Sequence, residues 1–111
     1  MLIFFEIDKI NVERFYFSRL EENFDTENVV VVLEDPNELT IFKKEYPTIK
    51  SYQFLDWIRG ASKQYKNSYV FVNGNRIPDL LMAKIGREND CKVIFIQHGM
   101  YVDFMKREVS L

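Results

Sequence analysis

The stretch "VIFIQHGMY", Val93 to Tyr101, carries the chain's only histidine. An imidazole titrates near neutral pH and can take a proton from a hydroxyl, which makes His98 the first candidate for a general base. The apolar run Val93 to Gln97 predicts a buried strand, and residues 100–109 predict a helix with Val102, Met105 and Val109 on one face. His98 therefore falls where a strand gives way to a helix. Gly99 lets the backbone approach a ligand closely, and the first turn of the next helix offers free N–H groups to an anion. Gln97 and Gly99 join His98 as substrate-binding candidates. The plainer use of such a histidine is to hold backbone groups at a strand end.

A second polar cluster, Asn73-Gly74-Asn75-Arg76, follows the apolar run "YVFV". Asn73, Gly74 and Asn75 form a strong turn signal, because both residue types tolerate positive φ. Arg76 beside them is a candidate anion contact. All four are candidate substrate-binding residues, although a bare turn accounts for the tripeptide equally well. Trp57 reads as core packing. Lys43-Lys44, Lys63 and Lys106-Arg107 read as solvated helix faces. Cys91 has no activating neighbour in sequence. It stands alone, so neither an intrachain disulfide nor a Cys-rich zinc site is available, and no metal or cofactor is expected.

These residues need a scaffold. "NVVVVLED", "SYVFV" and "CKVIFI" are unbroken apolar runs rich in β-branched residues, which predicts strands buried on both faces of a parallel sheet. Helices are expected between them. "INVERFYFSRLEENF" should turn Val12, Phe15, Tyr16 and Leu20 inward. "DPNELTIFKKEY" should be capped by Asp35, start at Pro36 and bury Leu39, Phe42 and Tyr46. "FLDWIRGASKQY" should bury Phe54, Leu55, Ile58 and Ala61 or Ser62. "IPDLLMAKIGREN" should bury Leu81, Met82 and Ile85. "PTIKSYQF" is compatible with a short strand through Ile49 and Tyr52, and "LIFFEI" with an added one. The alternation predicts a Rossmann-like three-layer α/β/α fold with a mainly parallel sheet, in one domain over residues 1–111. The runs near 29–33, 69–72 and 93–97 are expected to lie parallel and adjacent. Ligands of such sheets bind beyond the carboxyl ends of the strands, the edge that carries Glu34-Asp35, Asn73 to Asn75 and Gln97 to Gly99.

Composition narrows the function. Apolar residues make up 47%, charged residues 29%, and the formal net charge is −2. This is a globular composition without the basic excess that nucleic-acid binding favours, so no nucleic-acid partner is expected. The dinucleotide fingerprint and the phosphate loop are both absent, and Glu34-Asp35 would repel phosphate at the end of the first clear strand. A receiver-type phospho-acceptor site would need an acidic pair near the first strand and a late strand-end lysine, and neither is clear. No apolar run approaches the ~20 residues of a membrane span, and Glu6 and Asp8 interrupt the apolar start, so a cytoplasmic location is expected, with the inner membrane face as an alternative. Phe4, Phe5, Phe15 and Phe17 are expected in the core or an interface; a peripheral membrane contact is their other use. The apolar "LIFFEI" suggests a surface that needs cover, hence self-association into a homo-oligomer.

The segment "SYVFVNGNRIPDLLMAKIGRENDCKVIFIQHGMY" resembles the second half of the N-terminal domain of GT-B-fold glycosyltransferases: strand, polar turn, Leu- and Ala-rich helix ending near Gly, and a strand finishing in His-Gly. The Gln-His-Gly form is most like bacterial enzymes of surface-polysaccharide synthesis. The likeness covers about the last 35 residues well. The resemblance implies the acceptor-side half of a transferase that moves a sugar or polyol phosphate, with a carbohydrate or lipid-linked acceptor as partner. A nucleotide-activated donor would be held by a C-terminal domain beyond Leu111, so residues 1–111 would be an N-terminal fragment, inactive alone. It also implies the general-base role for His98. The family's glycine-rich loop after the first strand has no counterpart here. The competing expectation is a non-catalytic α/β module that docks a protein through its aromatic N-terminus. A natural sequence running on past Leu111 into a second Rossmann-like domain would favour the transferase.

Overall fold

The computed structural model describes residues 1–20 and 24–96. Its chain runs β1 (Leu2–Glu6), α1 (Lys9–Phe15), β2 (Val29–Leu33), α2 (Pro36–Glu45), β3 (Lys50–Gln53), α3 (Phe54–Arg59), β4 (Tyr69–Val72), α4 (Ile77–Glu88) and β5 (Lys92–Phe95), with short 3₁₀ turns at Phe17–Arg19, Thr26–Asn28 and Ala61–Gln64. All five strands pair in parallel, in the order β3-β2-β1-β4-β5. The expected α/β sheet is present.

Period-two alternation divides the strands between two cores. Phe4, Val29, Val31, Leu33 and Phe71 meet Val12 and Tyr16 of the α1 segment and Phe42 of α2. Ile3, Phe5, Val30, Val32, Val70 and Val72 meet Phe54 and Trp57 of α3 and Met82 of α4. Every residue of β1 and β2 is buried, as double-faced cover requires. The chain steps from β1 to β2 to β3 in one direction, then crosses back beyond β1 to add β4 and β5. With crossovers of one hand, that reversal puts α1 and α2 on one face and α3 and α4 on the other.

The strand "LIFFE" is the centre of the sheet. β1 pairs with β2 from Leu2↔Val29 to Glu6↔Leu33, and with β4 from Leu2↔Tyr69 to Phe4↔Phe71. The expected adjacency is thereby corrected: β4 and β5 are neighbours, but β1 separates β2 from β4. The expectation that "LIFFEI" needs cover from another molecule also fails, because Phe4 and Phe5 are fully buried within the chain. Phe15 and Phe17 pack partly buried against the same core. This removes the aromatic surface on which self-association, membrane contact and a protein-docking N-terminus were argued.

The helices follow their caps. Asp35 accepts from the N–H groups of Asn37 (2.8 Å) and Glu38 (3.4 Å), and Pro36 opens α2 as expected. Leu39 and Tyr46 pack against the core around Phe42. The helix expected over "FLDWIRGASKQY" stops at Arg59, because Gly60 takes φ 155° and the chain continues as a 3₁₀ turn. Its buried side is Phe54 and Trp57; Leu55 is exposed. In α4, Met82 and Ala83 are buried while Leu81 lies at the surface. The N-terminal helix ends at Phe15, earlier than its pattern suggests. No helix among the described residues is long and apolar enough to cross a membrane.

Phe4 tests the central placement of β1. Its ring stacks on Tyr16 at 4.4 Å between centroids and meets Phe71 at 5.3 Å. Phe4→Ala should cost about 3–5 kcal/mol in urea denaturation, the range for a truncated core aromatic, with sedimentation unchanged. A loss under about 1 kcal/mol together with altered sedimentation would return Phe4 to the surface.

Candidate functional site

Strand order locates the crevice. The chain reverses direction between β1 and β4, and open α/β sheets bind ligands outside the carboxyl ends of the strands at that reversal. The two strands pair Phe4 with Phe71. Two residues further on, still on the α1–α2 face, come Glu6 and Asn73. Asn73 Nδ2 donates to Glu6 Oε2 at 3.3 Å. Tyr16, held by its stack on Phe4, donates its hydroxyl to the same oxygen at 3.4 Å. Both bonds are long, and both fall on Oε2. Glu6 is only 6% exposed. Burial pushes its pKa from the ordinary 4.5 up to about 7; Asn73 and Tyr16 pull it down, and the charges of Asp79 and Asp8 push it further up.

The β4–α4 loop forms the other wall. Gly74 takes φ 128°, a conformation L side chains rarely adopt, and a Cβ there would lie 3.1 Å from Asp79 Oδ2. That close passage lets Asp79 reach back: the Arg76 N–H donates to Asp79 Oδ2 at 3.1 Å, and Arg76 Nε lies 3.4 Å from the same oxygen. Asp79 is 1% exposed, and its pKa is raised by burial and drawn back by Arg76. Arg76 Nη1 also donates to Glu34 Oε2 at 3.0 Å. The guanidinium thus ties the end of β2 to the loop after β4, past the end of β1. It is half exposed, and such pairs contribute about 0–1 kcal/mol, so it can open at little cost.

The crevice has little appetite for anions. Each described helix begins at this edge, and α1, α2 and α3 each have a side chain on their first N–H groups: Asp8 accepts from Asn11 N–H at 3.0 Å, Asp35 caps α2, and Gln53 accepts from Leu55 N–H at 2.9 Å. In α4 the Asp79 carboxylate takes the N–H of Arg76, the residue before the helix, and no side chain among the described residues caps the helix's own first N–H groups. The donors a phosphate would use are therefore engaged in part. Among the described residues, Glu34 and Asp79 pair with the Arg76 guanidinium and Glu6 acts on it at longer range, with the helix caps Asp8 and Asp35 at the same edge. A neutral ligand with hydroxyl donors, or a cation, fits this field. No group of three or more His, Cys, Asp and Glu residues suited to a metal ion occurs among the described residues.

Of the residues singled out from sequence, Asn73, Gly74 and Arg76 come together here, each with a defined partner. Asn75 is exposed in the same loop. Arg76 was read as an anion contact, but it is engaged by two carboxylates. Gln97, His98 and Gly99, with the helix expected over 100–109, lie outside the described residues. Sequence reasoning missed Glu6 and Asp79. The signal for Glu6 was available: an acid closing a fully apolar five-residue run. A separate groove of about 590 Å³ lies at the opposite edge of the sheet, lined by Lys43, Tyr46, Thr48, Lys50 and Ser51 among others. Lys43 there sits in the last turn of α2, where a cation complements the helix dipole.

No family model, no curated protein and no solved structure matches the chain.

Two variants test this geometry. The Glu6 pKa is higher in the folded chain than in the unfolded one, so between about pH 4.5 and 7 the unfolded chain loses a proton that the native one keeps. Native stability should fall across that window and level off above it, by on the order of 3 kcal/mol. Glu6→Gln should remove this slope and be more stable than wild type at about pH 8, in urea melts across pH. A parallel slope in the variant would refute the assignment. Gly74→Ala should lose about 1–3 kcal/mol from backbone strain and contact with Asp79, read from the same melts; an unchanged midpoint would mean that the loop relaxes freely.

Proposed function

We propose that this chain is the acceptor-binding half of a glycosyltransferase-type enzyme of surface-polysaccharide synthesis, and that the crevice at the ends of β1 and β4 receives a neutral, hydroxyl-rich acceptor. The observation that carries the reading is the pair Glu6–Asn73 at the reversal point of a 3-2-1-4-5 sheet. An amide that donates, a carboxylate that accepts and an arginine at the rim are the groups that orient a polyol. The segment Ser68 to Tyr101 supports it by its likeness to the acceptor-side domain of GT-B enzymes, in which the donor nucleotide is held by the other domain. The acidic side chains on the starts of α1 and α2 agree with that division of labour, because they disfavour a diphosphate at those helix ends.

In turnover the acceptor oxygen would bond to the donor's activated carbon or phosphorus as the bond from that atom to the nucleotide leaving group breaks, and the acceptor hydroxyl would give up its proton. The resemblance assigns that proton to His98.

The test is a backbone-amide NMR titration of the 111-residue chain with glycerol, glucose, N-acetylglucosamine, UDP and CDP. The neutral compounds should shift the amides of Glu6 and Asn73 to Arg76 with millimolar affinity, and the nucleotides should shift neither set. Nucleotide shifts at the crevice, or sugar shifts confined to another surface, would overturn the proposal.

A further inference from the structure

We propose that Glu6 is the hydrogen-bond acceptor for the hydroxyl of a neutral polyol bound in the β1/β4 crevice, and that binding is coupled to loss of the Glu6 proton. This deepens the acceptor reading and rests on it.

Glu6 is nearly enclosed, yet its partners are two long bonds, from Asn73 Nδ2 at 3.3 Å and Tyr16 Oη at 3.4 Å, both on Oε2. A carboxylate has about four lone-pair sites, so this one has acceptor capacity left over. Neither neighbour is free to drift and fill it. Tyr16 is fixed by its stack on Phe4, and Asn73 closes a strand whose register on β1 is set by Phe4↔Phe71. A ligand hydroxyl would add a shorter bond than the two long ones Glu6 makes with Asn73 and Tyr16.

The protonation state follows from the surroundings. Asp8 from the β1–α1 turn and Asp79 from α4 add negative potential, while Tyr16 from α1 and Asn73 after β4 donate. Glu34, after β2, and Arg76 pair with one another at the rim. With a pKa of about 7, free Glu6 is protonated in mildly acidic solution. A hydroxyl donor bonds more strongly to the carboxylate than to the acid. Binding therefore lowers the Glu6 pKa, releases its proton to solvent, and should tighten as pH rises through about 7 before levelling off.

The experiment is the NMR titration with glycerol and N-acetylglucosamine, repeated from about pH 5.5 to 8.5 on wild type, Glu6→Gln and Tyr16→Phe. Wild type should bind roughly five- to tenfold more tightly at the alkaline end, the gain of a charge-assisted over a neutral hydrogen bond. Glu6→Gln keeps the side-chain shape and should lose the pH dependence. Tyr16→Phe keeps the ring and removes a bond that lowers the Glu6 pKa, so the midpoint of the pH dependence should move upward. That shift decides the matter if Glu6→Gln does not fold. Crevice binding that is independent of pH, or a pH dependence that survives Glu6→Gln and so belongs to another group such as His98, overturns the role of Glu6 and leaves the acceptor-domain reading standing. Sugar binding confined to another surface, or absent altogether, overturns both.

Discussion

The structure depends on the burial of β1 on both faces and both edges. Leu2 to Glu6 pair with β2 on one side and Leu2 to Phe4 with β4 on the other, while their side chains feed both cores. A strand so enclosed must be apolar throughout, and "LIFF" is. Its last residue is then placed without freedom of its own. Glu6 closes the central strand, paired with Leu33 of β2 on one side and hydrogen-bonded by Asn73, just after β4, on the other. The reversal of chain direction occurs there too, so the gap that a doubly wound sheet leaves for a ligand opens over a carboxyl.

The charge distribution at that edge follows from local chain requirements. Each helix starting after a strand needs acceptors for its first N–H groups, and Asp8, Asp35 and Gln53 supply them to α1, α2 and α3. Two of these three caps are acids, and Asp79 adds a third carboxylate at the start of α4, where it holds the Arg76 N–H. Arg76 offsets two of the carboxylates, Glu34 and Asp79, and in doing so fixes the loop that carries Asn73. The acids that cap α1 and α2 thus also place negative charge at this edge of the sheet.

Much of this was legible in the chain. The unbroken runs Val29 to Leu33 and Tyr69 to Val72 read as buried parallel strands, and the Asp35-Pro36 start of α2 and the packing role of Trp57 read correctly, because each rests on local chemistry. Strand order did not read. Apolar content at a chain terminus is the same whether the segment is a central strand or a patch awaiting cover; only the pairing of Phe4 with both Val31 and Phe71 separates the two. The site was half legible for the same reason. Asn73, Gly74 and Arg76 announce themselves as a turn. Glu6 and Asp79 are 67 and three residues from their partners Asn73 and Arg76, and the first of these separations is visible only once β1 is central. Leu55 was placed on the wrong side and the helix carried too far, because a helical pattern does not reveal where a glycine at φ 155° will end it.

Glu6 costs stability where it stands. A carboxyl held about two and a half pH units above its ordinary value costs on the order of 3 kcal/mol at neutral pH. Each of Ile3, Phe4 and Phe5 contributes about 1.5–3 kcal/mol by burial, so β1 can carry that cost, but nothing in the packing requires it. A glutamine would accept from Asn73 and Tyr16 equally well and avoid the penalty of burying a charge. What a glutamine cannot do is change protonation near neutral pH or present a carboxylate to an incoming hydroxyl. The residue that the sheet tolerates least is thus placed at the point where a doubly wound sheet has most use for it.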